Sequence, residues 1–251
     1  MSRVLVLGGT GSIGRLVVSR LRELDESPLV LSRDPGRASK VVGAEVHVVR
    51  GDLTDARSVR EALVDVDMVV MTHGAPYGSG SYEAIDYGAV PTLLEALDGR
   101  EVRVALMSSI GVTGTGGSSR EILDWKRRGE RLLRASGLPY TIVRPGWFDA
   151  GASNERHADF RQGDETEYGH VRREDVAEAL VQALRTPVAL SRTVEVFSVA
   201  GPPREDWDAA YAATYPDAPG SPDGAHDRPG LPLGNEPLTV QADLRRWATI
   251  R

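Results

Sequence analysis

Residues 4–14 read Val-Leu-Val-Leu-Gly-Gly-Thr-Gly-Ser-Ile-Gly, an apolar run that empties into glycines at 8, 11 and 14. The run is short and uniformly apolar, as a strand buried on both faces is. After it, Leu16, Val17, Leu21 and Leu24 recur at helical spacing. A strand, a glycine turn and a helix in that order constrain the fold more than any other segment. Gly8 can turn the chain sharply, Gly11 lets backbone approach a ligand, and Gly14 lets the helix lie close on its strand. The helix then directs its unsatisfied N–H groups and positive dipole end at an anion. A glycine turn alone also suits a tight bend with no ligand. Its place between strand and helix makes a nucleotide pyrophosphate the stronger expectation.

The alternation continues down the chain. Strand-like runs at Arg3–Leu7, Leu29–Ser32, Val46–Val49, Asp67–Met71, Arg103–Met107 and Tyr140–Val143 are mostly followed by helical periodicity, and Thr193–Val199 reads as a late strand. Such alternation predicts an α/β fold, a doubly wound parallel sheet with helices on both faces. Ile85, Ala89, Leu93 and Leu97 mark one helix, with Pro91 as an expected kink; Val176, Leu180, Val181 and Leu184 mark another. Residues 215–237 are crowded with Pro, Gly and Asp and predict irregular chain, before a short helix over 240–247. The 251 residues fit one domain, with a cofactor-binding core over 1–149 and a substrate lobe and extension over 150–251.

Open sheets of this kind bind ligands beyond the carboxyl ends of their strands, so the loops after Leu7, Ser32, Val49, Met71, Met107 and Val143 should line the site. Charged residues on helix faces are expected to be solvated. Arg33 follows the second strand, where an arginine suits a ribose 2′-phosphate and an acid would suit a 2′-hydroxyl. NADP is therefore favoured, with NAD possible; Arg37 is a weaker helper and Asp34 a counterweight. Asp52 and Leu53 after the third strand suit an adenine edge, although an aspartate there also suits a cap.

Composition narrows the classes. With no cysteine there is no disulfide, thiolate metal site or cysteine nucleophile, and a net charge of −6 argues against a broad nucleic-acid surface. No apolar run reaches the roughly 18 residues of a membrane span. A cytoplasmic protein acting on a small molecule is the expectation, as a monomer or homodimer. His157, Asp159 and His170 lack ligand spacing, so no metal is assigned, and Ser108-Ser109 lacks the G-x-S-x-G setting of a hydrolase.

GGTGSIG, LSRDP, GDLTD, ALMSSIGV, ERLLRASGLPYTIVRPG and REDVAEALVQAL stand in this order over roughly the first 200 residues. In them the chain resembles an atypical short-chain dehydrogenase/reductase of the NAD(P)-binding, NmrA-like group. The resemblance implies a Rossmann sheet of seven or more strands with a small carboxyl-terminal substrate lobe. It also implies cofactor contacts at Gly8, Thr10, Gly11, Ser12, Ile13, Arg33, Asp52, Leu53 and Thr72-His73-Gly74. Ser108 belongs with them, and Pro145-Gly146 resembles the segment whose backbone meets the nicotinamide carboxamide.

In such relatives a serine, a tyrosine and a lysine carry the chemistry. Ser109 matches the serine and Lys126 the lysine, but the tyrosine position is Ile122, which cannot move a proton. Only Lys40 and Lys126 among the 30 basic residues are lysine, so a lysine at 126 has weight as a ribose contact. Asp124 is a weak substitute for the phenol. His73 can donate a proton near neutral pH or simply hydrogen-bond backbone or ribose. Tyr77, Tyr82 and Tyr87 lie nearby in sequence, unaimed. Trp147 and Phe148 form either an aromatic substrate wall or core. The pattern implies an NADPH-dependent reductase of a quinone, flavin or similar conjugated molecule. The alternatives are a non-catalytic dinucleotide sensor and, further off, an epimerase or isomerase.

Overall fold

The computed structural model describes residues 2–148, 151–166, 168–228 and 232–248. The boundary drawn at 149/150 lies outside the described residues. Eight strands form one sheet: β1 (Arg3–Leu7), β2 (Ser27–Ser32), β3 (His47–Arg50), β4 (Met68–Met71), β5 (Arg103–Met107), β6 (Tyr140–Pro145), β7 (His157–Arg161) and β8 (Arg192–Val199). Their order is β3-β2-β1-β4-β5-β6-β8-β7. All neighbours are parallel except β7, which runs antiparallel to β8 at the edge. The doubly wound sheet is the one the alternation predicts. β7 went unpredicted because its sequence, His-Ala-Asp-Phe-Arg, buries only Ala158 fully.

Apolar stripes cover both faces. α1 (Gly14–Glu23) and α6 (Arg173–Arg185) share one core, where Val17, Val18 and Leu21 meet Val176, Leu180 and Leu184. On the other face α3 (Ala56–Ala62), α4 (Ala89–Leu97) and α5 (Arg120–Ala135) bury Val59, Leu93, Leu97, Leu132 and Leu133. α2 (Pro35–Val42) lies beside α1, α7 (Trp207–Ala212) follows β8, and α8 (Leu238–Trp247) closes over α5. Residues past 150 thus add β7, α6 and β8 to the main sheet.

Two expectations are corrected here. Pro91 does not kink a helix: it sits in the first turn of α4, where its missing N–H has no partner to lose. The irregularity lies one turn earlier, where Glu83–Tyr87 winds as a π turn closed by Gly88 N–H donating to Glu83 O at 2.9 Å.

The second correction concerns α5, whose charged face is buried. Glu130 lies between Arg134 at 3.0 Å and the wholly buried Arg144 of β6 at 2.6 Å. Asp227 meets the other side of Arg144 at 2.6 Å, and Asp217 meets Arg134 at 3.2 Å. Asp223 pairs with Arg127 and Arg131 at 2.9 and 3.0 Å, and Glu236 with Arg128 and Arg131 at 2.7 and 2.6 Å. Among its described residues the segment 215–237 holds one 3-10 turn and is otherwise irregular, as expected, yet it supplies four of these carboxylates. Charges taken out of water persist only when partnered this closely. Burial alone would raise the Asp227 carboxyl; hydrogen bonds and the charge of Arg144 instead hold it at about 2.

Candidate cofactor and active site

Gly8 ends β1 with φ +88°, and a Cβ there would stand 2.7 Å from the backbone nitrogen of His73. Only glycine lets the turn lie against the end of β4. A Cβ on Gly14 would fall 2.2 Å from the Gly8 carbonyl, so α1 can begin this close to the turn only without a side chain. Gly11 N–H closes the turn on Gly8 O at 2.9 Å. Thr10, Gly11 and Ser12 are exposed, and the residue at the start of α1, Ile13, is buried and offers no side-chain cap. Arg15 and Leu16 N–H already donate to Gly11 O and Ile13 O at 3.1 and 2.9 Å, so the amides left for a ligand are those of Ser12 to Gly14.

At the adjoining strand ends, Thr72 is engaged inward, donating both N–H and Oγ1–H to Leu7 O at 2.8 and 3.2 Å. His73 is buried, and its Nδ1 has no partner. The β4–β5 register pairs Met71 with Leu106, which carries His73 and Ser108 to matching positions two residues on. The Ser108 hydroxyl is also buried without a partner. Ser109, the expected catalytic serine, donates its hydroxyl to Ile110 O at 3.0 Å.

Lys126 reaches this point from α5. Its Nζ stands 2.8 Å from Asp86 Oδ1, and Asp86 Oδ2 accepts the Ala75 N–H at 3.1 Å. A Cβ on Gly74 would be 3.9 Å from the same Nζ and 3.6 Å from Asp86 Oδ1, so the loop after β4, the π turn and α5 converge. Burial, then the charge of Lys126, lowers the His73 imidazole to about 4 despite Asp86. At that value the ring is neutral at pH 7. Ile122 lies one turn before Lys126 on α5, at the tyrosine position.

Among the described residues the other candidate acids are engaged elsewhere or exposed. Asp124 is paired with Arg120 at 2.7 Å. Tyr87 donates to Asp243 at 2.7 Å, and burial with that bond pushes its phenol far up. Tyr82 is buried and accepts the Gly78 N–H, while Tyr77 is 71% exposed. His157 binds the Pro202 carbonyl through Nδ1, Asp159 pairs with Arg161, and His170 pairs with Glu155 at 2.9 Å.

At the other end of the cleft, Arg33 and Arg37 are exposed. Asp34 is the N-cap of α2, its Oδ1 accepting Arg37 N–H at 3.0 Å. Asp52 closes its own turn on Thr54, whose N–H and hydroxyl it accepts at 3.0 and 2.9 Å, and Leu53 is half-buried beside the core. Beyond β6, the Pro145 carbonyl accepts Ile110 N–H at 3.1 Å and Gly146 N–H donates to Val196 O at 3.1 Å. Trp147 is 52% exposed, whereas Phe148 is half-buried against the core.

Sequence reasoning missed several residues. Asp86 is the partner of the isolated lysine. Arg50 donates to the Arg33 carbonyl at 3.0 Å, adding a third guanidinium to that corner. Asp164 accepts N–H groups of Gly111 and Thr113 at 2.6 and 2.7 Å and so fixes the loop after β5. Lys126 is a cation whose counter-charge had to lie nearby, a signal that pointed to a buried acid without saying which.

A glycine cradle with free amides and buried polar atoms lacking partners at the next two strand ends fits a dinucleotide. These features define a doubly wound nucleotide-binding protein. The chain matches the NAD(P)H-binding family over residues 8–187 and belongs to it. It is 29% identical over 227 residues to sanguinarine reductase of Eschscholzia californica, covering 72% of this chain and 83% of that one. It is 29% identical over 206 residues to NAD(P)H azoreductase of Xenophilus azovorans, covering 79% and 68%. Among solved structures, a putative NAD-dependent epimerase/dehydratase from Bacillus halodurans superposes with a TM-score of 0.73 at 23% identity, over 80% of this chain and 96% of that one. No helix among the described residues is long and apolar enough to cross a membrane.

Proposed function

We propose that the protein is an NADPH-dependent reductase of a small conjugated acceptor, such as a quinone or flavin, and that it works without a protein phenol. The carrying observation is a complete-looking cradle beside a lysine already neutralised by Asp86, with Ile122 where a proton donor would stand. The two reductases among the relatives support the same class.

In this reading residues 1–149 hold the coenzyme and residues 150–251 complete the acceptor side. Amides at Ser12–Gly14 bind the diphosphate, Arg33 with Arg37 and Arg50 takes the 2′-phosphate, and the backbone at Pro145-Gly146 meets the carboxamide. Lys126, positioned by Asp86, holds the ribose hydroxyls, while Ser108 and neutral His73 offer hydrogen bonds from below; Ser109 lines the same edge. When bound, the coenzyme would supply a hydride, and a quinone that accepted it would take the one proton it still needs from water. Because the charge of Lys126 is matched by Asp86, it has no phenol to acidify and serves only to orient.

Parallel fluorescence titrations with NADPH and NADH, followed by steady-state assays on quinones and flavins, test this. NADPH should bind at least about tenfold tighter, a difference of about 1.4 kcal/mol, and Arg33→Ala should erase the preference. Coenzyme binding with no turnover of any acceptor would favour a dinucleotide sensor instead.

A further inference from the structure

Beyond Trp147-Phe148 the chain forms an open cavity of about 500 Å³ whose lining includes Gly151, Arg156, Val171, Arg172, Arg173 and Glu174. It adjoins the site through backbone. Val171 N–H donates to Trp147 O at 2.8 Å, and Trp147 N–H donates to Gly169 O at 2.8 Å. Arg173 lays its guanidinium 5.1 Å from the Phe148 ring centroid. Arg173 therefore joins the two, lining the cavity while its guanidinium lies over the Phe148 ring.

The charge on this wall is out of balance. Arg172 has Glu174 at 3.7 Å, the only carboxylate among the described lining residues. Arg156 influences Asp175, whose carboxylate is already engaged by the Ser198 hydroxyl. Among the described residues neither Arg156 nor Arg173 forms an ion pair with a carboxylate. Elsewhere this protein closes its inward arginines: Arg131, Arg134 and Arg144 each meet two or more acids. Guanidinia left open beside aromatic rings match a flat molecule that carries an oxyanion, since the planar fork binds carboxylate, sulfonate or phosphate in two bonds.

We infer that the acceptor carries an anionic substituent, held by Arg156 and Arg173 while its conjugated ring lies against Trp147 and Phe148. This rests on the reductase reading for its turnover but not for its binding. A neutral acceptor of the same shape would fill the aromatic side alone and leave the arginines to water. Glu174 offsets Arg172, which leaves Arg156 and Arg173 as the net positive charge of the wall.

The test pairs 1,4-naphthoquinone-2-sulfonate with uncharged 2-methyl-1,4-naphthoquinone. Equilibrium binding is followed by quenching of tryptophan fluorescence without coenzyme, and turnover is followed with NADPH. The sulfonate should bind and react at least about tenfold better, with the difference in KM rather than kcat. Arg156→Gln with Arg173→Gln should collapse that ratio towards one, and the paired lysine variants should restore most of it, because both sites are at the surface and fold is not at stake. Equal binding of the two quinones by the parent protein overturns the inference. So does a ratio that survives the double glutamine variant, or a loss that falls on NADPH affinity instead, which would hand these arginines to the coenzyme. A preserved binding preference with no turnover leaves the anion site standing and overturns the reductase reading alone.

Discussion

The glycine cradle at the start of the chain and the arginine lattice under its last third are built by opposite means. In the cradle, side chains are removed so that backbone amides stay open: a Cβ on Gly8 or Gly14 would collide with backbone, and nothing caps α1. In the lattice, side chains of the highest charge fill the interior and are closed on one another, with Glu130 and Asp227 gripping Arg144 from both sides. Polar groups left open mark where a ligand belongs, and polar groups fully closed mark where the chain holds itself together. The same distinction separates Arg144, which is architecture, from Arg156 and Arg173, which are not.

The largest effect should come from breaking the lattice. Arg144→Met strands Glu130 and Asp227 without their main cation and should cost about 3–5 kcal/mol in urea unfolding, with NADPH affinity of the folded fraction nearly unchanged. A cost below about 1 kcal/mol would mean that these pairs roughly cancel their own desolvation. Gly14→Ala should show the reverse balance. The new methyl costs about 1–3 kcal/mol of strain, but the coenzyme should lose at least about tenfold in affinity, measured by titration.

A subtler effect separates two groups of raised and lowered acidity. Burial lifts the Glu195 carboxyl from 4.5 to about 7 despite Arg144 and the Asp164 N–H. Its folded form therefore keeps a proton that the unfolded chain releases, so stability falls as pH rises from about 4.5 to about 7 and stays lower above. Glu195→Gln removes that slope and should gain about 1–3 kcal/mol at pH 8 relative to pH 5, read from paired denaturation curves. The depressed His73 contributes the opposite slope, stability rising from about 4 to 6.5, but it is common to both proteins and drops out of the difference. Smallest of all is Asp34→Ala, which removes the cap of α2 and should cost about 1 kcal/mol. It should leave the NADPH-to-NADH ratio where it was; a shift would return Asp34 to the ribose.

Much of this was legible beforehand, for identifiable reasons. Strands buried on both faces announce themselves as apolar runs, and six predicted runs became β1 to β6 within a few residues at their ends. The cradle was legible because its chemistry is local to seven residues. The lattice was not. Periodicity treats Arg127, Glu130, Arg131 and Arg134 as a wet face, and the acids that cover them lie far along the chain: Asp217 is 83 residues from Arg134 and Glu236 is 105 from Arg131. Asp86 was hidden in the same way, since its partner Lys126 lies on another helix. Sequence pattern sees what repeats nearby and is blind to a single long-range pair.

That long separation has a consequence for how the molecule is made. When Arg134 and Arg144 leave the ribosome, Asp217 and Asp227 have yet to be synthesised, each 83 residues behind its arginine. Glu130 on α5 already pairs with both arginines, at 3.0 and 2.6 Å, and Asp217 and Asp227 add the second carboxylate to each only later. The long-range half of the lattice therefore closes only once the segment carrying Asp217 and Asp227 has been made.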